Sequence, residues 1–271
     1  MARPVEDQAQ RHQLVFPAVE NTRSVWQYAG RVGAEVLAAV GRGRAAALRD
    51  WPVPGALLPR DRSLPVAEQM AGLFPERALR RGSTVVVGRS RPGATSVALS
   101  LLSPSAAGYW CGVVGAPDLG LVAAAQLGGE LSRLALVPVP GERWPVVTAA
   151  LLEGMDVVLV RPAGPVRPTD ARKLEARARE RGAVLAVLSD AWPGAADVRL
   201  DVGEGSWHGA QSGAGFLVGR ELEVVSTGRG AASRPRRARL TFASSTSRVV
   251  SLADGAASSA PSFRAAGSGP R

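Results

Sequence analysis

The stretch Gly88-Arg89-Ser90-Arg91-Pro92-Gly93-Ala94-Thr95 is the first place where residue type and spacing suggest chemistry. Two glycines stand five apart, and a hydroxyl residue follows the second by two. Between a strand and a helix, such a loop turns its backbone amides toward one point, where a phosphate can sit. The spacing is that of the phosphate-binding motif G-x-x-x-x-G-K-[ST], whose Lys reaches the β/γ oxygens and whose Ser or Thr holds Mg²⁺. Thr95 keeps the hydroxyl, but Ala94 stands where the Lys belongs. Glycines at this spacing are common, so the loop gains weight only from its context.

Other chemistry-bearing residues form no pattern. His12 lies in a polar N-terminal stretch, His208 in a Gly-rich one and Cys111 in an apolar run, so no metal-ligand spacing is present and no metal is expected. No Ser-His-Asp arrangement is evident. A single Cys rules out an intrachain disulfide and suits a reducing compartment.

The elements that must position the loop are legible. Thr84 to Val87 reads as a buried strand running into Gly88, and Thr95 to Leu102 as the helix beyond it. Strands at Trp110–Val114, Leu134–Val139, Asp156–Val160 and Ala183–Leu188 then alternate with helices at Leu119–Leu127, Trp144–Leu152 and Thr169–Arg181. Short apolar strands alternating with helices predict an α/β fold with a mostly parallel central sheet covered on both faces. After residue 196 the texture turns to β. Val198–Val202 alternates, Gly219-Arg220 reads as a hairpin turn between Gly215–Val218 and Glu221–Ser226, and Arg236–Phe242 reads as a last strand. Ser233-Arg234-Pro235 points to an edge position for that strand.

The expected organisation is a flexible arm over 1–22, an N-terminal helix and Pro-rich linker over 23–69, a core over 70–242 and a disordered tail over 243–271. The helix, at 24–49, carries apolar residues at three- and four-residue spacing. It serves either self-association or packing on its own core, and the flanking Trp26 and Trp51 are candidate docking residues. No run reaches the ~20 apolar residues of a membrane-spanning helix. A cytoplasmic protein is expected, with no membrane partner.

The formal net charge is +10 and the pI about 11.3, which attracts polyanions or acidic protein surfaces. Nearly all the basic residues are Arg, which also fits drift in a GC-rich coding sequence. Residues 220–271 hold nine Arg against three acids. Arg229, Arg234, Arg236, Arg237 and Arg239 form the densest cluster, read either as a DNA or partner contact or as a solvated strand. On the charged helix, pairs such as Glu175 and Arg179 read as ordinary surface support.

In order, the segments from Leu73 to Phe242 resemble the RecA recombinase core. Leu73 through Val87 resembles the approach to that family's P-loop, Asp156 to Val160 its Walker B strand, and Gly219 to Phe242 its closing β-ribbon. Within the superfamily the chain is most similar to the RecA-like accessory factor of damage-inducible mutagenesis, called ImuA-prime in actinobacteria. That resemblance implies a RecA-like P-loop core with a C-terminal β-ribbon and an N-terminal helical extension. It also implies a role in the SOS response and translesion synthesis beside two partners, an ImuB-like Y-family-type protein and an error-prone DnaE-type polymerase. DNA and self-association are further partner classes, and association with the nucleoid under DNA damage would follow.

The same resemblance implies that the chemistry is lost. Arg161 stands where the Walker B acid would be, and Pro117 where the catalytic Glu would be, although a one-residue slip makes Asp118 the counterpart. A charged hydrogen bond contributes about 1.5–3 kcal/mol, so losing the Lys alone weakens triphosphate binding roughly tenfold or more. A guanidinium facing the metal position repels Mg²⁺. The expectation is a non-catalytic scaffold with no cofactor and ATP disfavoured. The rival readings are a divergent ATPase that uses Arg in place of Lys, a DNA-binding module acting through the ribbon, and a division inhibitor.

Overall fold

The computed structural model describes residues 62–209, 219–243 and 249–252. The expected N-terminal arm, the expected helix at 24–49, Trp26 and Trp51 lie outside the described residues. A small antiparallel pair, β1 (Ser63–Leu64) and β2 (Leu79–Arg80), brackets a one-turn helix α1 (Glu68–Ala71). The main body begins with β3 (Thr84–Val87) and α2 (Ala94–Ser100). It continues through β4 (Cys111–Val114), α3 (Leu121–Gln126), β5 (Leu134–Val137), α4 (Trp144–Leu151), β6 (Val157–Val160), α5 (Pro168–Arg181) and β7 (Val184–Leu188). Three long strands follow, β8 (Val198–His208), β9 (Gly219–Gly228) and β10 (Arg236–Ala243), and then β11 (Val249–Leu252).

One nine-stranded sheet runs β11-β10-β9-β8-β3-β7-β6-β4-β5. The six strands from β8 to β5 are mutually parallel, and β9, β10 and β11 add antiparallel. This is the α/β layout with a mostly parallel central sheet that the segment order predicts. The parallel strands β3 to β7 are apolar on both sides because each side meets a different core. In β3, Val85 and Val87 enter one cluster and Val86 the other; in β6, Val157 and Leu159 oppose Val158 and Val160. The first cluster is covered by α1, α2 and α3 and by the inner face of the ribbon (Leu222, Val224, Leu240). The second is covered by α4 and α5.

Local signals set the boundaries of α5. Pro168 occupies its first turn, where a missing N–H costs nothing, and Gly182 ends it at φ 65°. At the N-terminal end of the sheet, the buried Asp156 ties three approach segments together. Its Oδ1 accepts from Arg81 Nη1 at 2.9 Å, and its Oδ2 accepts from the Trp110 amide at 2.9 Å. Arg81 also donates to the Gly182 carbonyl and lies over the Tyr109 ring.

Several expectations need correction. Gly219-Arg220 is no turn: both residues lie in β9, with His208 opposite Gly219 and Trp207 opposite Arg220. The local Gly signal misled because Gly219 is a strand end, and β8 runs six residues past Val202 before the chain reverses. β10 is not an edge, since β11 pairs with it, so four residues of the expected tail extend the sheet. The core also starts before residue 70: Leu64 is fully buried in the first cluster. Glu175 is no surface residue either. It is buried, and one of its carboxylate oxygens accepts from the Trp192 indole Nε1 at 3.0 Å. Arg179 donates to the Glu175 backbone carbonyl rather than pairing with its side chain.

Candidate functional site

In an open parallel sheet the functional crevice lies at the C-terminal ends of the strands. Gly88 begins that loop here. It is buried and donates to the Leu200 carbonyl at 3.0 Å, while a Cβ added to it would lie 3.0 Å from Asp201 Oδ1. The next two amides, of Arg89 and Ser90, point together as a phosphate cradle requires. Both donate to the same acceptor, Asp190 Oδ1, at 2.8 and 3.1 Å. Asp190 follows β7, the strand beside β3, and its carboxylate sits where an anion would be held. Hydrogen bonding from Ser90, then the Arg89 amide and the Arg89 charge, hold its carboxyl below the usual range.

The far end of the loop is closed by the ribbon. Gly93 has φ 99°, and a Cβ there would collide with Leu222 of β9. Arg220 Nη2 donates to the Pro92 carbonyl at 2.6 Å. Ala94 is buried, so its methyl belongs to the core and places no charge in the crevice, whereas Thr95, Arg89 and Arg91 are exposed.

The expected Walker B-like and catalytic positions meet each other. Arg161 follows β6, and its amide bonds the Val114 carbonyl at 2.9 Å. Its Nε donates to the Gly115 carbonyl at 3.0 Å, and its two terminal nitrogens grip the Asp118 carboxylate, one of them at 3.0 Å. Pro117 is exposed in the turn between and offers no proton acceptor. Asp118 is the only carboxylate on that turn, and bonding from Arg161 lowers its pKa further below the ordinary carboxylate value. A carboxylate so engaged is a weak base for activating water.

These side chains do not match the needs of a magnesium-bound triphosphate. The cradle amides face an internal carboxylate, Ala94 stands in place of a Lys, and the Arg161 guanidinium lies beside Asp118. Among the described residues, no group of His, Cys, Asp and Glu could hold a metal ion. Cys111 is no nucleophile, because burial, and secondarily the charge of Asp156, push its thiol far above its usual range. The structure does bring Ser206, His208 and Glu221 together. His208 Nε2 lies 3.2 Å from Ser206 Oγ and 3.7 Å from Glu221 Oε2. A nucleophile relay needs the acid on the other ring nitrogen, so this trio is not one.

The sequence-dense Arg cluster is largely committed. Arg237 pairs with Glu223 at 3.1 Å, and Arg229 approaches Asp197 at 3.5 Å. Arg236 donates to the carbonyls of Ala231 and Arg234. Arg234 and Arg239 are exposed and make no ion pair among the described residues. Asp190, Asp201 and Arg199, which shape the loop's surroundings, were missed by the sequence reading. The available signal was an acid directly after a strand neighbouring β3.

Comparisons with known proteins come from part of the chain. A family model described as the MT3502 N-terminal domain matches residues 72–194. Over 104 residues the chain is 44% identical to the uncharacterized protein Rv3395c of Mycobacterium tuberculosis, which covers 38% of this chain and 51% of that protein. The chain therefore spans about half the length of the curated relative it matches. Among solved structures, the flagellar accessory protein FlaH from Methanocaldococcus jannaschii aligns at 11% identity and a TM-score of 0.45. That alignment covers 71% of this chain and 99% of the other. A likeness that slight carries no argument. No helix among the described residues is long and apolar enough to cross a membrane.

Proposed function

We propose that this chain is a non-catalytic, RecA-like accessory protein of damage-induced, error-prone DNA synthesis, acting in the cytoplasm by holding an ImuB-like protein and a DnaE-type polymerase together. The non-catalytic part rests on one observation: the Arg89 and Ser90 amides bond Asp190 Oδ1. A nucleotide would have to displace that carboxylate without a Lys to help, and beside a bidentate Arg161–Asp118 pair. The assignment to DNA damage comes from the order of segments resembling ImuA-prime. The connections after β6 (residues 161–167) and β7 (residues 189–197) are short, which disfavours strand exchange.

Two measurements test the proposal. Titration with a fluorescent mant-ATP and a sensitive ATPase assay should give no saturable binding at micromolar protein and no turnover. Turnover that disappeared in Thr95→Ala would replace the scaffold reading with the divergent-ATPase one. Co-purification with the ImuB-like protein and the polymerase should succeed; failure with both would remove the partner assignment.

A further inference from the structure

Carboxylates at the C-terminal end of the sheet are nearly all committed. Asp118 is held by Arg161, Asp190 by the loop amides and Asp201 by Arg199, and Glu221 faces His208. Three guanidiniums at the same end make no ion pair among the described residues: Arg89 and Arg91 on the loop, and Arg220 on β9. Arg89 does lie in the field of Asp118 and Asp190, lowering both of their pKa values. Arg220 joins the loop to an exposed aromatic. It donates to the Pro92 carbonyl, next to Arg91, and its guanidinium lies 4.9 Å over the Trp207 ring. Trp207 is 59% exposed, the only large aromatic so exposed among the described residues.

Burial of Trp and Arg side chains dominates the energetics of many protein interfaces. An unpaired guanidinium calls for a carboxylate, which it grips bidentately. We propose that this surface docks an extended acidic peptide from a protein partner. Carboxylates at alternate peptide positions would pair with Arg89 and Arg91, and one aromatic or aliphatic side chain would cover Trp207 beside Arg220. A peptide fits better than a nucleic acid strand. Asp118, Asp190 and Asp201 stand beside the loop arginines, and a phosphate at every nucleotide could not avoid them. A peptide can place its few charges selectively. The inference rests on the adaptor reading in giving the former nucleotide face a partner, but its test is independent of any ATPase result.

The probe is a fluorescein-labelled ten-residue peptide of alternating Glu and Ser with one central Phe, titrated by anisotropy against the full chain at low salt. Saturable binding that weakens with salt is expected. The double variant Arg89→Glu/Arg91→Glu should weaken it at least about tenfold, and Trp207→Ala roughly fivefold to tenfold. Arg237→Glu/Arg239→Glu, on the ribbon, should change it less than about twofold. Circular dichroism checks that each variant is folded. The proposal is overturned if the peptide does not bind, or if the ribbon variant causes the larger loss. It is also overturned if a labelled (dT)20 strand binds more tightly than the peptide and loses that affinity in Trp207→Ala, which would assign the surface to single-stranded nucleic acid. Turnover of ATP would sink the adaptor reading alone.

Discussion

The two ends of the parallel sheet use the same pair of charges in opposite ways. At the N-terminal end, Asp156 and Arg81 meet at 2.9 Å with side chains 2% and 10% exposed, and that pair joins the approaches to β3, β4 and β7. At the C-terminal end, Arg161 grips an Asp118 that is 71% exposed, and Asp190 fills an amide cradle at the surface. Water screens the second set and not the first. One end is therefore built for stability. At the other, the charges pair at the surface around the 88–95 loop.

The sharpest break of that comparison is Asp156→Ala. It strands a buried guanidinium and the Trp110 amide, so unfolding in urea should show a loss of about 3–5 kcal/mol. A loss below ~1 kcal/mol would mean that the two ends are alike. Trp192→Phe should cost about 1–3 kcal/mol in the same assay, because the buried Glu175 carboxylate loses its indole donor. If stability is unchanged, water replaces that donor and Glu175 is not truly sequestered.

Asp190→Ala should leave stability within ~1 kcal/mol, since the site is at the surface. It should also free two amides, and tripolyphosphate measured by calorimetry should bind roughly tenfold more tightly than to the unaltered chain. Equal affinity would show that the carboxylate is not what keeps anions out.

The smallest effect is with pH. Asp118 and Asp190 both have pKa values lowered from 3.8 by their partners. A lowered native pKa contributes stability above the unfolded value, and that contribution is lost as pH falls through the native value. Acidification should thus loosen the loop only below about pH 3.8. The Arg89 and Ser90 amide resonances should titrate there in two-dimensional NMR. A midpoint at or above 3.8 would mean that Asp190 is not held.

The alternation of β3 to β7 with α2 to α5 was legible because buried parallel strands leave apolar runs that nothing else in the sequence resembles. The loop at 88–95 was legible because glycine spacing is a local backbone requirement. The hairpin was misplaced and β11 missed because ribbon strands take their register from neighbours, and Gly219 looks the same in a turn or at a strand end. Arg161 and Asp118 could each be read as a substitution, but not as a pair, since 43 residues separate them.

Residue order alone determined the fold class, the missing Lys at Ala94 and the basic surplus, because each depends on side-chain type or short-range periodicity. Tertiary structure alone decided which charges are spent. Asp190 reaches a loop 100 residues earlier, and Arg220 carries Trp207 to Pro92 across 128 residues. The physical reason is that ion pairing and amide capping depend on distance in space. Only the parallel sheet, by bringing the ends of β3, β6, β7 and β8 to one rim, sets those distances.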